Sequence, residues 1–81
     1  MPLNVADLKT LMKRAGIEPD LVDQLDPAVP VLRQGLDSID LPLVAMAAEK
    51  EWGITILDAD AVRLRTLDDF VAYVVKRRAG G

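Results

Sequence analysis

The chain has 81 residues and a net charge of −3, and it contains neither cysteine nor histidine. A domain of this size buries only about 60–65% of the surface that its unfolded chain exposes, so we expect one thin core with little room for a deep pocket. Without cysteine and histidine, disulfides, thiolate chemistry and the commonest metal ligands are excluded. We therefore expect no catalytic residue and no metal site, and the acidic balance argues against nucleic acid as a partner.

The sequence contains neither a secretory signal pattern nor a membrane-spanning run. Its first residues, Met1 to Asn4, lack the basic region and the long apolar stretch of a signal peptide. No segment approaches the roughly 18 apolar residues that span a bilayer. We therefore expect a cytoplasmic, monomeric protein without membrane insertion, folded as a single domain over residues 1–81.

The first predicted helix begins after Asn4, whose side chain can cap it together with Asp7 three residues later. Gly16 is a natural residue to end this helix, and Ile17 can then fold back on the last turn. Apolar residues at helical spacing predict the buried face, which consists of Val5, Leu8, Leu11, Met12 and Ala15.

A long connection follows, because three prolines and four acidic residues interrupt the stretch from Glu18 to Pro30. Within it, Pro19 can open a turn or two of helix ending near Leu25. Several apolar residues predict that the connection packs onto the domain, namely Leu21, Val22, Leu25, Val31 and Leu32.

The second main helix is predicted to run from Asp37, its N-cap, to Gly53, which ends it. Ser38 would then be the first helical residue. Pro42 would fall near the fifth helical position, where its missing N–H removes a hydrogen bond and favours a local bend. The predicted apolar face consists of Ile39, Leu41, Val44, Ala45, Ala48 and Trp52.

The remaining segments predict an extended loop, a short helix and a third main helix. Residues 54–56 alternate like a strand but have no partner, and Asp58 can cap one helical turn that reaches Val62. Thr66 and Asp69 form a capping pattern for the last helix, which ends before a frayed Gly80-Gly81. Its predicted inward residues are Leu67, Phe70, Val71, Val74 and Val75. We thus predict an all-α fold: a small four-helix bundle of three main helices and one short helix, with a long loop between helices 1 and 2.

Ser38 is the only serine of the chain and permits two interpretations. Aspartate and serine are common where helices start, so these residues alone favour a purely structural role. A hydroxyl at this position also points outward, beside free N–H groups that suit a phosphodiester, and Gly35 leaves the approach open. No neighbour in sequence can activate the hydroxyl, so Ser38 is a better substrate for another enzyme than a nucleophile of its own. The negative charges of Asp37 and Asp40 disfavour a further negative charge, such as that of a phosphodiester, at Ser38.

The segments "GLDSID", "EKEWGITI", "DADA" and "TLDDFVAYV" occur in an order and spacing that resembles the acyl carrier protein family over nearly the whole chain. The resemblance implies that Ser38, between Asp37 and Ile39, receives 4′-phosphopantetheine from coenzyme A through a phosphopantetheinyl transferase. The thiol of this arm would then hold acyl groups as thioesters, so the protein would be a carrier and not an enzyme. The "QGLDS" segment also resembles carrier domains of polyketide and nonribosomal peptide synthetases, so fatty acyl, polyketide and aminoacyl cargo all stay open.

The resemblance also implies that the second helix docks on arginine and lysine of acyl-transferring, ligating or condensing enzymes. The implied docking residues are Asp40, Leu43, Met46 and Glu49. Leu43 stands where many fatty-acid carriers have glutamate, and we hypothesise that this carrier serves a specialised pathway rather than bulk fatty-acid synthesis. For Glu49, an ordinary solvated helix face is an equally good interpretation.

Two alternatives remain open at this point. The first concerns Ala48 and Trp52, which by resemblance replace a larger leucine and a phenylalanine. Volume compensation within one core is the simpler interpretation, and space for an unusual acyl chain is the other. The second concerns the whole chain, which could instead be a small acidic helical interaction module in which Ser38 merely starts a helix.

Overall fold

The computed structural model of the protein describes residues 3–79, which contain five α-helices and one 3₁₀ helix. No strand occurs within this range, so the all-α prediction is confirmed, while the predicted frayed Gly80-Gly81 end lies outside it. None of the helices in the described range is long and apolar enough to cross a membrane. The α-helices are α1 Val5–Arg14, α2 Pro19–Gln24, α3 Asp40–Trp52, α4 Asp58–Ala61 and α5 Leu67–Ala79, and the 3₁₀ helix is Val31–Gln34.

Both predicted ends of α1 are confirmed. The Asn4 side chain accepts a hydrogen bond from the Asp7 amide at 3.0 Å, and the Asp7 carboxylate accepts one from the Asn4 amide at 3.1 Å. At the other end Gly16 has a φ of 102°. The amide of Ile17 donates to the carbonyl of Met12 at 3.2 Å, and the Ile17 side chain is buried. These bonds satisfy backbone groups that every helix end leaves without partners.

The core surrounds α1, which contacts α2, α3 and α5. Its inward face supplies Leu8, Leu11 and Met12, all buried, as the helical spacing predicts. The other helices contribute apolar side chains that close around this face, among them Val22, Val31, Val44, Ala48, Leu67 and Val74. Burial of this apolar surface is the main force that holds the helices together.

The long connection packs onto the domain, as predicted. Val22, Leu25 and Val31 are buried, whereas Leu32 is 51% exposed, so its predicted burial is wrong. Leu32 lies in the 3₁₀ helix, which was not predicted. Since side chains three residues apart are aligned in such a helix, Val31 and Leu32 point in different directions and only one of them faces the core.

Gln34 holds this connection in shape. Its amide oxygen accepts a hydrogen bond from the Asp26 amide at 2.7 Å, and its amide nitrogen donates to the carbonyls of Asp26 at 3.1 Å and Val29 at 2.9 Å. The amide of Val31 also donates to the carbonyl of Arg65 at 2.9 Å. The Gln34 bonds fold the connection on itself, and the Val31 bond attaches it to the segment between α4 and α5.

The last two helices differ in how well their starts were predicted. The predicted extended loop at residues 54–56 is confirmed, but Asp58 is the first residue of α4, and the N-cap Leu57 makes no side-chain hydrogen bond. The predicted Asp58 cap is therefore wrong. For α5, the Asp69 amide donates to the Thr66 hydroxyl at 3.0 Å and the Thr66 amide to the Asp69 carboxylate at 3.2 Å, which confirms that start. Val75, predicted to face inward, is 39% exposed.

Candidate functional site: the turn before α3

The residues around Ser38 form a turn that leads into α3 rather than the first turn of α3 itself. The α-helix begins at Asp40, two residues later than predicted. The Asp37 carboxylate accepts a hydrogen bond from the Ile39 amide at 3.2 Å, and the Asp37 carbonyl accepts one from the Asp40 amide at 2.9 Å. Asp37 therefore stabilises this turn. The predicted positions of Asp37 as the N-cap of α3 and of Ser38 as its first residue are both wrong, because Ile39 is the N-cap.

Pro42 explains why α3 starts where it does. An α-helix that included Ser38 would need an N–H at position 42 to donate to the Ser38 carbonyl, and proline has none. The amide of Leu41 donates to that carbonyl instead, at 3.3 Å, which gives a tighter turn. Pro42 is the third residue of α3, where an N–H has no partner within the helix. The predicted loss of a hydrogen bond at Pro42 is therefore wrong.

The backbone before Ser38 anchors the turn. Gly35 ends the 3₁₀ helix with a φ of 102°, and its amide donates to the carbonyl of Val31. Leu36 is buried, and its amide also donates to Val31, at 3.3 Å. Asp37 and Ser38, which follow directly, are exposed. The buried Leu36 thus anchors the backbone two residues before the exposed Ser38. Leu36 was not singled out from the sequence.

Ser38 borders a cavity of about 420 Å³ that reaches into the bundle. This volume falls within the range of small-molecule sites and exceeds what a thin core led us to expect. Neither Ala48 nor Trp52 lines this cavity, so the small side chain of Ala48 does not create the space. The apolar part of the lining includes Met12, Val31, Leu36, Val44, Ala45 and Phe70.

Ile39, Leu43 and Met46 form an exposed apolar stripe beside Ser38. They are 71%, 49% and 65% exposed, and their spacing of four and three residues places them on one side of the helix start and of α3. Ile39 was predicted to face the core, which is wrong, because it precedes the first full turn of α3. The exposed Asp37 and the half-buried Asp40 lie next to the stripe in sequence. The surface around Ser38 is thus apolar with an acidic edge.

Glu49 is half-buried, unlike the stripe. Its carboxylate accepts a hydrogen bond from the Ile56 amide at 2.9 Å, which links α3 to the segment before α4. Glu51, two residues later, forms an ion pair with Arg14 of α1. Of the predicted docking residues, Leu43 and Met46 therefore belong to the stripe and Asp40 lies next to it in sequence, whereas Glu49 uses its carboxylate within the domain.

Tyr73 of α5 makes a hydrogen bond to α4, the short helix whose residues Asp58 and Ala61 line the cavity. Its hydroxyl donates to the Asp60 carboxylate at 2.8 Å, and the Arg77 guanidinium lies 5.8 Å from the centre of its ring. Partial burial raises the pKa of the Tyr73 hydroxyl above its ordinary value, and the hydrogen bond to Asp60 raises it further. Within residues 3–79, no three acidic side chains come close enough together to hold a metal ion.

The chain is similar in sequence to a known protein family and to several known proteins. The family described as "Phosphopantetheine attachment site" matches residues 6–74. The acyl carrier protein of Bdellovibrio bacteriovorus is 33% identical over 67 residues, covering 83% of both chains. That of Rhodococcus erythropolis is 32% identical over 85 residues, covering 95% of this chain and 84% of the relative. That of Zymomonas mobilis is 32% identical, covering 88% of both chains.

The family match and these relatives imply a covalently attached 4′-phosphopantetheine group as the cofactor. The residues of this structure fit such a group, because an exposed serine hydroxyl adjoins an apolar cavity within the matched range. Proteins of this kind act together with biosynthetic enzymes. The chain belongs to the acyl carrier protein family.

Proposed function

We propose that Ser38 is the attachment site of 4′-phosphopantetheine and that the protein is an acyl carrier rather than a catalyst. The observation that carries this proposal is the exposed Ser38 in a fixed turn beside the cavity, inside the range that matches the phosphopantetheine family. The arm supplies a terminal thiol, which holds acyl groups as thioesters. Fatty-acid, polyketide and related biosynthesis are the pathways that use such a carrier.

Attachment requires one new bond at the Ser38 oxygen. The hydroxyl oxygen attacks the phosphorus that bears the pantetheine arm of coenzyme A, and the phosphoanhydride bond to adenosine 3′,5′-bisphosphate breaks. The serine proton must leave in this step, and a base in the transferase complex takes it. Asp37 and Leu36 of this chain hold the turn in place.

Intact-protein mass measurement tests the attachment. We expect the purified protein, incubated with coenzyme A and a broad-specificity phosphopantetheinyl transferase, to gain one phosphopantetheinyl group. Ser38→Ala should gain none, although Thr10, Thr55 and Thr66 still offer hydroxyls. A folded wild-type protein that stays unmodified would favour the alternative function, a small acidic interaction module. Modification of the Ser38→Ala variant would place the site elsewhere.

We further propose that the exposed apolar stripe, with Asp40 at its edge, docks the transferase and the acyl-transferring, ligating or condensing enzymes. The partner surface that fits combines an apolar patch with arginine or lysine at its rim, because buried apolar area gives affinity and opposite charges guide association. Because Leu43 stands where many fatty-acid carriers have an acidic residue, the electrostatic attraction to a basic partner surface is weaker here. This difference supports a specialised pathway rather than bulk fatty-acid synthesis. Leu43→Ala should raise the transferase KM several-fold, whereas Val75→Ala on α5, also exposed, should not.

The cavity beside Ser38 has the size and the apolar lining to take an acyl chain carried by the arm. A structure of the acylated protein in which the chain lies in solvent would remove this part of the proposal. A cytoplasmic location and a monomeric state stay predictions.

A further inference from the structure

One wall of the cavity is formed by residues 54–62, which comprise the connection after α3, the helix α4 and the residue that follows it. Ile56, Asp58, Ala61 and Val62 of this segment line the cavity. Ile56 is the only buried residue of the segment, and α4 itself has no buried side chain. Burial of apolar side chains is the main force that holds an element in place. Because this segment buries only one side chain, packing alone holds the wall weakly.

Two side chains from neighbouring helices hold this segment at two points. Glu49 of α3 accepts the hydrogen bond from the Ile56 amide at 2.9 Å, and Tyr73 of α5 donates to the Asp60 carboxylate at 2.8 Å. The first bond fixes the connection against α3, and the second fixes α4 against α5. We call them the two wall hydrogen bonds.

Glu49 is the more informative of the two residues, because it also lines the cavity. Its hydrogen bond joins two lining residues of the cavity, Glu49 on α3 and Ile56 in the segment before α4. Half-burial strengthens this hydrogen bond, since less water competes for the same atoms.

We propose that Glu49 is a positioning residue, which together with Tyr73 holds the 54–62 wall closed and so determines how readily the cavity opens. This role differs from the docking role predicted for Glu49 from the sequence, because it depends on an acceptor oxygen at this position and not on a negative charge. The expected effect of Glu49 on a bound acyl chain rests on the proposed carrier function. Its effect on the position of residues 54–62 does not.

Hydrogen exchange of the full-length apo protein, followed by NMR, tests the wall directly. Glu49→Ala removes the acceptor and should speed exchange of the Ile56 amide by about tenfold, while α1 amides such as that of Met12 keep their rates. Glu49→Gln retains an acceptor oxygen and should stay within about threefold of the wild type. Glu51→Ala is the matched control, because it removes the same charge from the same helix without touching the wall.

Three outcomes would overturn the proposal. The first is an Ile56 amide whose exchange in Glu49→Ala equals that of the wild type. The second is a uniform acceleration of all amides with no local excess at Ile56, which would mean a general loss of stability. The third is a Glu49→Gln variant as impaired as Glu49→Ala, which would assign the effect to the charge. Tyr73→Phe provides an independent check, because it should speed exchange at Asp60 and Ala61 of α4.

A second measurement asks whether the wall encloses the cargo. On protein that carries an octanoyl arm, hydroxylamine should cleave the thioester several-fold faster in Glu49→Ala than in Glu51→Ala. Equal rates would overturn the enclosure of the chain. If Ser38 proves unmodified, the proposed function fails, and the exchange of the Ile56 amide still decides whether Glu49 holds the wall.

Discussion

Gly35→Ala is the substitution that most directly links backbone conformation to the site. Gly35 has a φ of 102° and a ψ of 0°, and it lies three residues before Ser38. Residues with a Cβ visit positive φ mainly in a small region near 50–70° with ψ of 30–60°, so these angles are strained for alanine. Gly16 has the same φ of 102° at the end of α1 and therefore serves as the matched control.

The expected loss of stability follows from backbone strain alone. A Cβ at Gly35 would lie 3.7 Å from the Leu21 Cδ1 atom, an ordinary van der Waals contact, and a Cβ at Gly16 would meet nothing within 4 Å. Neither substitution creates a clash, so each should cost about 1–2 kcal/mol for the left-handed backbone. In a domain of this size, 1 kcal/mol lowers Tm by roughly 4–8 °C. Gly53→Ala should cost less than either, because its φ of 64° and ψ of 35° lie inside the left-handed region.

Urea unfolding and the initial rate of phosphopantetheine transfer separate the two effects of these substitutions. Gly35→Ala and Gly16→Ala should lose similar stability, but only Gly35→Ala should slow the transfer, because only Gly35 orients the Leu36 anchor and the Ser38 turn. Equal slowing by Gly16→Ala would show that general stability and not local geometry governs transfer. An unchanged free energy of unfolding in Gly35→Ala would refute the argument from backbone strain.

Two further predictions concern stability. Asn4→Ala removes the α1 cap and should lower the free energy of unfolding by about 1 kcal/mol in urea, whereas Thr10→Ala, which alters an exposed hydroxyl of the same helix, should change it by less than about 0.5 kcal/mol; equal losses would argue against the cap. The stabilisation from the Tyr73 hydroxyl should be fully present below about pH 10 and decline as pH rises through the raised pKa, because the phenolate cannot donate to Asp60. The stability difference between wild type and Tyr73→Phe, measured from pH 8 to pH 11, should therefore shrink, and a constant difference would contradict this reasoning.

Several features that depend on three or four neighbouring residues were predicted correctly from the sequence, although the Asp58 cap of α4 and the start of α3 at Ser38 were not. The reciprocal hydrogen bonds of Asn4 with Asp7 and of Thr66 with Asp69 occur at the predicted residues. The positive φ of Gly16 likewise follows from its place after an apolar helix face. In each case the groups that interact are close in sequence, so no knowledge of the tertiary structure is needed to pair them.

The extent of the core and the hydrogen bonds between distant segments were not predicted. Helical spacing places Ile39 and Val75 on apolar helix faces but does not say how far the core extends along each helix. Both side chains are exposed, outside the core. The cavity wall depends on the contacts of Glu49 with Ile56 and of Tyr73 with Asp60, which are seven and thirteen residues apart. No periodicity in the sequence pairs these residues, because the hydrogen bonds form only after the helices have packed.

Pro42 shows how a residue that looks unfavourable in a helix contributes to the site. Considered alone, a proline near the fifth position of a helix removes a hydrogen bond. In the structure it prevents the α-helix from reaching back to Ser38, and the Leu41 amide takes the Ser38 carbonyl at 3.3 Å instead. The helix therefore begins at Asp40, and Ser38 lies in a tight turn between the buried Leu36 and the helix start. The same missing N–H that a helix interior could not tolerate thus sets the boundary that leaves the serine exposed.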